Sequence, residues 1–199
     1  MQTEPSRRER KKEETRHRIF HAAIDLFRQK GFESTTVDDI TEKADVAKGT
    51  FFNYYPRKEA VLAFLSEERL PVIEEIAGTL LAADRRVSEK LIDIYVTGAT
   101  PYEEDHGLAR YVLIENMARS FQPSEEVAMR WHELILRLVR QGQEKGELRR
   151  DADPERIEGV LTGIYYATLY QWVCCPEGTF ALLPEMRAHL TLALEGIAS

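Results

Sequence analysis

The sequence has few of the features that indicate a membrane protein or a secreted protein. Its two cysteines are adjacent, at Cys174 and Cys175, which makes them a poor structural cross-link and favours a reducing compartment. No apolar run approaches the roughly 20 residues that span a bilayer. The basic cluster from Arg7 to Lys12 is not followed directly by an apolar segment, so it does not resemble a secretory signal. We therefore expect a cytoplasmic protein.

Signatures of catalysis are also missing. The sequence contains no Gly-rich phosphate loop, no evident nucleophile–base set and no supported cluster of metal ligands, so we expect neither an enzyme nor a bound metal or cofactor. His17, His21 and Asp25 follow a helical i, i+4 spacing that could hold a metal, but a water-facing polar stripe gives the same pattern and is favoured. The paired cysteines are interpreted as small hydrophobic residues rather than as a redox sensor.

Charge is unevenly distributed, although the formal total of −7 argues against nucleic-acid binding by the whole surface. The first 60 residues contain 13 basic and 11 acidic side chains, whereas the rest contain 14 and 23. A mildly basic segment on an acidic body is typical of a protein that meets phosphates at one end. The cluster from Arg7 to Lys12 is a candidate DNA-binding arm, but its interleaved acidic residues favour a solvated helix end.

Apolar residues recur at helical spacing almost throughout, so we predict an all-α protein. The first helix is predicted from about Arg8 to Lys30, followed by short helices at 37–44 and 48–54. A fourth, which Pro71 kinks or divides, begins at Arg57, and later helices are predicted at about 87–99, 107–120, 124–142, 154–174 and 184–197. We predict a three-helix DNA-binding head with a basic N-terminal arm over residues 1–56, and a helical body over residues 57–199.

Two short helices between Thr36 and Lys58 cannot each bury much surface alone. They must cross and share a small core beneath the first helix, with the candidates Val37, Ile40, Ala44, Val46, Phe51 and Tyr55. This is the helix-turn-helix pattern, whose second helix lies in the major groove of DNA. The residues that this core does not need are predicted to face DNA: Ala47, Lys48, Gly49, Thr50, Phe52, Asn53 and Tyr54.

These outward residues have the chemistry of base readers. Lys48 can donate to guanine acceptors, Asn53 can pair with adenine, and Phe52 or Thr50 can meet a thymine methyl group. Contacts with phosphates are predicted for Thr36, Tyr54 and Lys58.

The stretch from Ala22 to Leu62, AAIDLFRQKGFESTTVDDITEKADVAKGTFFNYYPRKEAVL, resembles the DNA-binding head of the TetR (tetracycline-repressor) family. The matching positions are Ala23 through Gly31, Thr35-Thr36-Val37, Ile40, Ala44, Val46, Lys48-Gly49-Thr50-Phe51 and Lys58-Glu59. Two positions depart from the family pattern. The turn residue that is usually Gly is Asp45, which tolerates left-handed geometry. The position often held by Tyr is Phe52, which leaves only apolar contact there.

The resemblance implies a homodimeric repressor whose body binds a small-molecule inducer and whose last two helices form a four-helix dimer interface. Its partners would be a palindromic double-stranded operator, a second copy of the chain and the inducer, with no membrane. Base reading would fall to Ala47 through Phe52, and phosphate binding to Thr36, Tyr54 and Lys58. Two alternatives stay open: a DNA-binding regulator that responds to a protein partner or to no effector, and a helical enzyme or scaffold without DNA binding.

The body offers candidates for the inducer cavity, although core packing is the commoner role for any single one of them. They are Phe64, Tyr95, Tyr111, Asn116, Met117, Phe121, Trp131, Tyr165 and Tyr166. In the helix after Pro154, small residues recur every four positions. Mid-helix glycines cost about 1 kcal/mol relative to alanine, so we expect these to permit close approach of a helix or ligand. The predicted dimer-interface residues are Gly159, Gly163, Ala167, Tyr170, Leu190 and Leu194.

Overall fold

The computed structural model describes residues 6–120 and 126–197, and these ranges form helices joined by short connections. The helices are α1 (Arg7–Lys30), α2 (Val37–Lys43), α3 (Lys48–Tyr54), α4 (Ala60–Ala82), α5 (Val87–Glu104), α6 (His106–Ser120), α7 (Glu126–Lys145), α8 (Pro154–Cys174) and α9 (Leu182–Ile197). The all-α prediction is confirmed. Of the two alternatives predicted at Pro71, division is excluded because α4 runs through it, and α5 extends beyond its predicted end at residue 99, through Pro101. The predicted start of α7 at Ser124 lies outside the described residues.

The chain forms two compact units, one ending at Leu65 and the other beginning at Ser66. This boundary falls later than the predicted one between residues 56 and 57. The first turns of α4 belong to the head because Phe64 is 96% buried there, with its ring 4.9 Å from that of Phe20. The head unit therefore includes the start of α4 as well as the three predicted helices.

The head is organised by helix caps and a small aromatic core. Ser6 and Glu9 form a reciprocal capping box at the start of α1, and Thr36 and Asp39 form another at the start of α2. Gly31 ends α1 with a φ of 87°, a conformation that glycine adopts without penalty. The buried apolar residues that α1, α2 and α3 bring together include Ile19, Ala23, Phe27, Ile40, Ala44, Phe51 and Tyr55.

In the body unit, α5 packs against α7 and α9, α8 packs against the same two helices, and α6 packs against α5 and α8. The core between them contains the fully buried side chains Leu91, Ile94, Tyr95, Ile135, Leu138, Leu161, Leu169 and Leu190. Among the helices at 6–120 and 126–197, none is long and apolar enough to cross a bilayer.

Candidate nucleic-acid interface

The turn between α2 and α3 has the geometry that a helix-turn-helix requires. Asp45 adopts a φ of 50°, so the prediction that aspartate tolerates the left-handed position is confirmed. The amide of Val46 donates to the Thr41 carbonyl at 3.0 Å, and the amide of Thr50 donates to the Ala47 carbonyl at 2.8 Å. These bonds close the end of α2 and open the first turn of α3.

One side of α3 is buried and the other is exposed, as the helical spacing predicts. Phe51 is fully buried, and Tyr55, directly after α3, is 98% buried. Phe52 is 47% exposed, so a large part of its ring reaches the surface of the head. Gly49 is exposed, and a Cβ atom built on it would meet nothing within 4 Å. The fold of the chain therefore does not require glycine there.

The remaining residues predicted to face DNA are distributed around α3 and differ in exposure. Ala47, Lys48 and Asn53 are exposed, and Thr50 and Tyr54 are half-buried. All seven residues that the sequence predicts to face DNA are therefore at least partly exposed, while their roles at individual bases stay predictions.

Lys48 has a partner that the sequence did not reveal. Its ammonium group lies 2.7 Å from the Asp38 carboxylate, and the two side chains are 56% and 72% exposed. Ion pairs this exposed contribute about 0–1 kcal/mol, so Lys48 can exchange this carboxylate for a DNA acceptor at little cost. Asp38 lies ten residues earlier, on α2, and no local spacing rule connects it to Lys48.

Two of the residues predicted to contact phosphates, Thr36 and Lys58, also form hydrogen bonds within the fold. The Thr36 hydroxyl donates to an Asp39 carboxylate oxygen at 2.6 Å and accepts from the Asp39 amide at 3.1 Å. The Lys30 ammonium, at 2.6 Å, and the Thr36 hydroxyl hold the pKa of Asp39 far below its usual value. Lys58 donates to the carbonyls of Phe32 at 2.7 Å and Thr35 at 2.9 Å. Lysine has three donors, so at most one remains for a phosphate.

We expect Lys58→Ala to lower the free energy of unfolding by about 1–3 kcal/mol, because two partly buried carbonyls each lose a donor, and only the Phe32 carbonyl keeps the Thr35 amide as another. Chemical denaturation followed by circular dichroism measures this change. Lys48→Ala is the matched control, since it removes the same side chain from an exposed ion pair. Equal stability of the two variants would show that Lys58 does not have a structural role.

In the body, four of the predicted cavity residues form one aromatic cluster. The ring of Tyr95 lies 5.7 Å from that of Trp131 and 5.6 Å from that of Tyr165, and Tyr166 lies 5.3 Å from Tyr165. Trp131 packs against Gly98 so closely that a Cβ atom there would lie 2.7 Å from the indole ring. Burial raises the pKa values of Tyr95 and Tyr165, which keeps these phenols neutral. The rings of the cluster are therefore neutral, and the Tyr95 hydroxyl is linked through Thr162 to the buried Glu158 carboxylate.

Asn116 provides a polar connection beside this cluster. Its amide donates to the Tyr102 hydroxyl at 2.9 Å, and its carbonyl oxygen accepts from Ser66 of α4 at 3.1 Å. Tyr102, whose pKa burial also raises, is a functional candidate that the sequence analysis missed. Met117 packs partly buried against the same core, and Tyr111 is half-buried on α6.

Phe64 requires a correction. It belongs to the head unit, where it packs against Phe20 and Tyr55, and we withdraw it from the candidate cavity of the body. Its apolar character was correctly interpreted, but the spacing of α4 does not show which unit its first turns join. Phe121 lies outside the described residues.

The predicted dimer face divides into exposed and buried residues. Gly159, Gly163 and Ala167 are exposed along α8, and Tyr170 is 62% exposed. Leu190 and Leu194 are instead 0% and 3% exposed within the single chain, so they are too deeply buried to contact a partner. We therefore remove both from the predicted interface. The neighbouring apolar side chain of α9 that does reach the surface is Leu192, at 71% exposure.

Comparison with known proteins gives a consistent set of relatives. Residues 19–64 match the family described as bacterial regulatory proteins, tetR family. The chain is 34% identical over 178 residues to the uncharacterized HTH-type transcriptional regulator YdeS of Bacillus subtilis, covering 82% of this chain and 83% of that protein.

Solved structures extend the similarity to the whole fold. The TetR-family repressor FadR of Thermus thermophilus, crystallised in complex with lauroyl-CoA, is 33% identical with a TM-score of 0.71, over 91% of this chain and 94% of that one. The regulator FadR of Bacillus subtilis, in complex with stearoyl-CoA, has the same fold at 22% identity and a TM-score of 0.68, over 91% and 98% of the two chains.

Proposed function

Because this chain belongs to the TetR family of bacterial transcriptional regulators, we propose that it is a dimeric repressor that releases its operator when its body binds a fatty acyl-CoA. The observation that best supports operator binding is the exposed side of α3, where Lys48, Gly49, Phe52 and Asn53 are not packed in the core. Donors and apolar groups on one exposed helix face are what direct readout of the major groove requires.

A dimer presents two such helices to DNA. They fit a palindromic site when they lie one helical turn apart, about 34–36 Å. We propose that α8 and α9 supply the contact between the two chains. The exposed glycines at 159 and 163 support this, because a Cβ atom on either would meet nothing within the chain, so a neighbouring helix can approach the backbone closely.

The acyl-CoA proposal rests on the similarity to the lauroyl-CoA-bound repressor of Thermus thermophilus. The aromatic cluster of Tyr95, Trp131 and Tyr165 supports it, because an acyl chain needs apolar side chains around it. Ligand binding would favour a conformation of the dimer in which the two α3 helices no longer match successive major grooves.

The Ser66–Asn116–Tyr102 connection is a candidate for part of this response. It joins α4 to the helices that carry the aromatic cluster, through hydrogen bonds of 3.1 and 2.9 Å. A ligand that displaces the Tyr102 hydroxyl would remove one of the hydrogen bonds that orient Asn116, and with it part of the support for the Ser66 contact to α4. Because α4 continues into the head unit at its N-terminal end, this helix provides a covalent route between effector and DNA.

Operator binding is tested by selecting duplexes from a randomised pool with the full-length protein and footprinting the product. We expect an inverted repeat, since each head contacts one half-site. Selection of no sequence above the starting pool would contradict operator binding, and selection of a single unrepeated half-site would contradict the dimeric mode.

We expect lauroyl-CoA to raise the melting temperature and to weaken binding to the selected duplex. At about 100 times its dissociation constant, a ligand that binds only the folded state adds about 2.7 kcal/mol of stability. Thermal shift and fluorescence anisotropy measure the two effects, with coenzyme A lacking the acyl chain as the control. Unchanged duplex affinity at saturating lauroyl-CoA would contradict the acyl-CoA proposal and leave operator binding unaffected.

A further inference from the structure

The N-terminal end of α1 and the exposed side of α3 border a common groove of about 800 Å³. From α3 the groove is lined by Thr50, Asn53 and Tyr54, all of which belong to the predicted DNA-binding surface. From α1 it is lined by Ser6, Arg8, Glu9, Lys11, Lys12 and Thr15. The surface that faces DNA on α3 is therefore continuous with the first two turns of α1.

The basic residues on this part of α1 form a stripe. Arg8, Lys11, Lys12 and Thr15 are spaced i, i+3, i+4 and i+7, which places them on one face of a helix. Glu9 is the acidic residue of the groove, and its carboxylate accepts from the Ser6 amide at 2.6 Å in the capping box. The hydrogen bonds with Ser6 lower the pKa of Glu9, so the groove carries three cationic side chains and one carboxylate held at the helix end.

The three cations of this stripe differ from Lys48 and Lys58 because their side chains have no internal partner. Within residues 6–120 and 126–197, the side chains of Arg8, Lys11 and Lys12 make no ion pair and no hydrogen bond; the Thr15 hydroxyl bonds to the backbone carbonyl of Lys11. Lys48 is paired with Asp38, and two donors of Lys58 are committed to carbonyls. Positive charge that is available for phosphates without breaking an internal contact is therefore found on α1, beside α3.

We propose that the first two turns of α1 bind the phosphate backbone of the same duplex that α3 reads, with Arg8, Lys11 and Lys12 as the binding side chains. Thr15, whose hydroxyl donates to the Lys11 carbonyl at 2.9 Å, lies at the inner end of the stripe, where the groove reaches α3. This assignment rests on the proposed operator binding and extends it to a second helix. The contacts are electrostatic, so they add affinity without adding sequence preference.

The test is the salt dependence of binding to a duplex selected by the parent protein from a randomised pool. Each lost phosphate contact reduces the slope of log K against log salt by about 0.9. We expect Lys11→Gln/Lys12→Gln to reduce it by about 1.8 for each head bound, while the selected sequence stays the same. The capping pair Ser6 and Glu9 is untouched, and circular dichroism checks that α1 remains helical.

Arg10→Gln is the matched control for Lys12→Gln, because it removes a cation two residues away, about 160° around the helix from Lys12. We expect only Lys12→Gln, and not Arg10→Gln, to reduce the slope of log K against log salt. Equal slopes for these two variants, or an unchanged slope in the double variant, would overturn the assignment of α1. A parent protein that selects no sequence would instead overturn the proposed operator binding, so the two failures are distinguishable.

Discussion

A variant with Gly163→Glu is expected to sediment as a monomer at concentrations where the parent protein sediments as a dimer. Gly163 lies in the middle of the exposed small-residue stripe of α8, between Gly159 and Ala167. In a contact between two copies, a glutamate there would bury two carboxylates without partners. Burying an unpaired charge costs several kcal/mol, so we expect the dimer dissociation constant to rise on the order of 1,000-fold.

The single chain should tolerate this change, which makes the result specific for the interface. A Cβ atom at Gly163 meets nothing within 4 Å, and glutamate is a better helix former than glycine by about 0.5–1 kcal/mol. Gly78→Glu is the matched control, because Gly78 is also helical, exposed and free of neighbours within 4 Å. We expect Gly78→Glu to remain dimeric and Gly163→Glu to lose cooperative binding to a palindrome.

Analytical ultracentrifugation across a concentration series measures the dissociation constants of both variants. Persistence of the Gly163→Glu dimer with parental affinity would place the interface elsewhere. Dissociation of both variants alike would show that added negative charge, rather than the α8 surface, causes the effect.

The second large effect is expected from Lys48→Ala, which should weaken operator binding by about 2–6 kcal/mol in a dimer. A well-placed side-chain contact with a base is worth about 1–3 kcal/mol, and a palindrome uses it twice. The structure adds a further reason. Removing Lys48 leaves the exposed Asp38 carboxylate unpaired beside the DNA-binding surface, where it repels phosphates.

The ion pair between Lys48 and Asp38 also provides a control variant, in which operator affinity is expected to change in the opposite direction. Asp38→Asn frees the Lys48 ammonium from its 2.7 Å partner, so we expect tighter binding with a steeper salt dependence. Fluorescence anisotropy with the selected duplex measures both variants, and thermal unfolding verifies that neither loses the fold. If Lys48→Ala bound the duplex with parental affinity, Lys48 would have to be removed from the base-reading surface.

Some properties of this protein followed from local sequence alone. The helix class, the position of the helix-turn-helix and the left-handed turn at Asp45 were all predicted and are confirmed. They depend on spacing of apolar residues, on caps such as Thr36 and on single-residue conformational preference, each of which acts over a few residues. The same spacing placed Phe51 and Tyr55 inside the head and left Phe52 and Lys48 outside.

Other properties were decided only by how distant segments pack. Periodicity shows that Leu190 is apolar and helical, but the rotation of α9 in the fold buries it and turns Leu192 to the surface. The Lys58 ammonium spans 26 and 23 residues to reach its two carbonyls, and α1 reaches α3 across a groove that no local pattern predicts. Helix spacing determines which residues share a face, whereas tertiary packing determines what each face meets. Local spacing was therefore enough to place the helix-turn-helix, whereas only packing over long sequence distances showed that Lys48 and Lys58 have internal partners and that Arg8, Lys11 and Lys12 border the groove between α1 and α3.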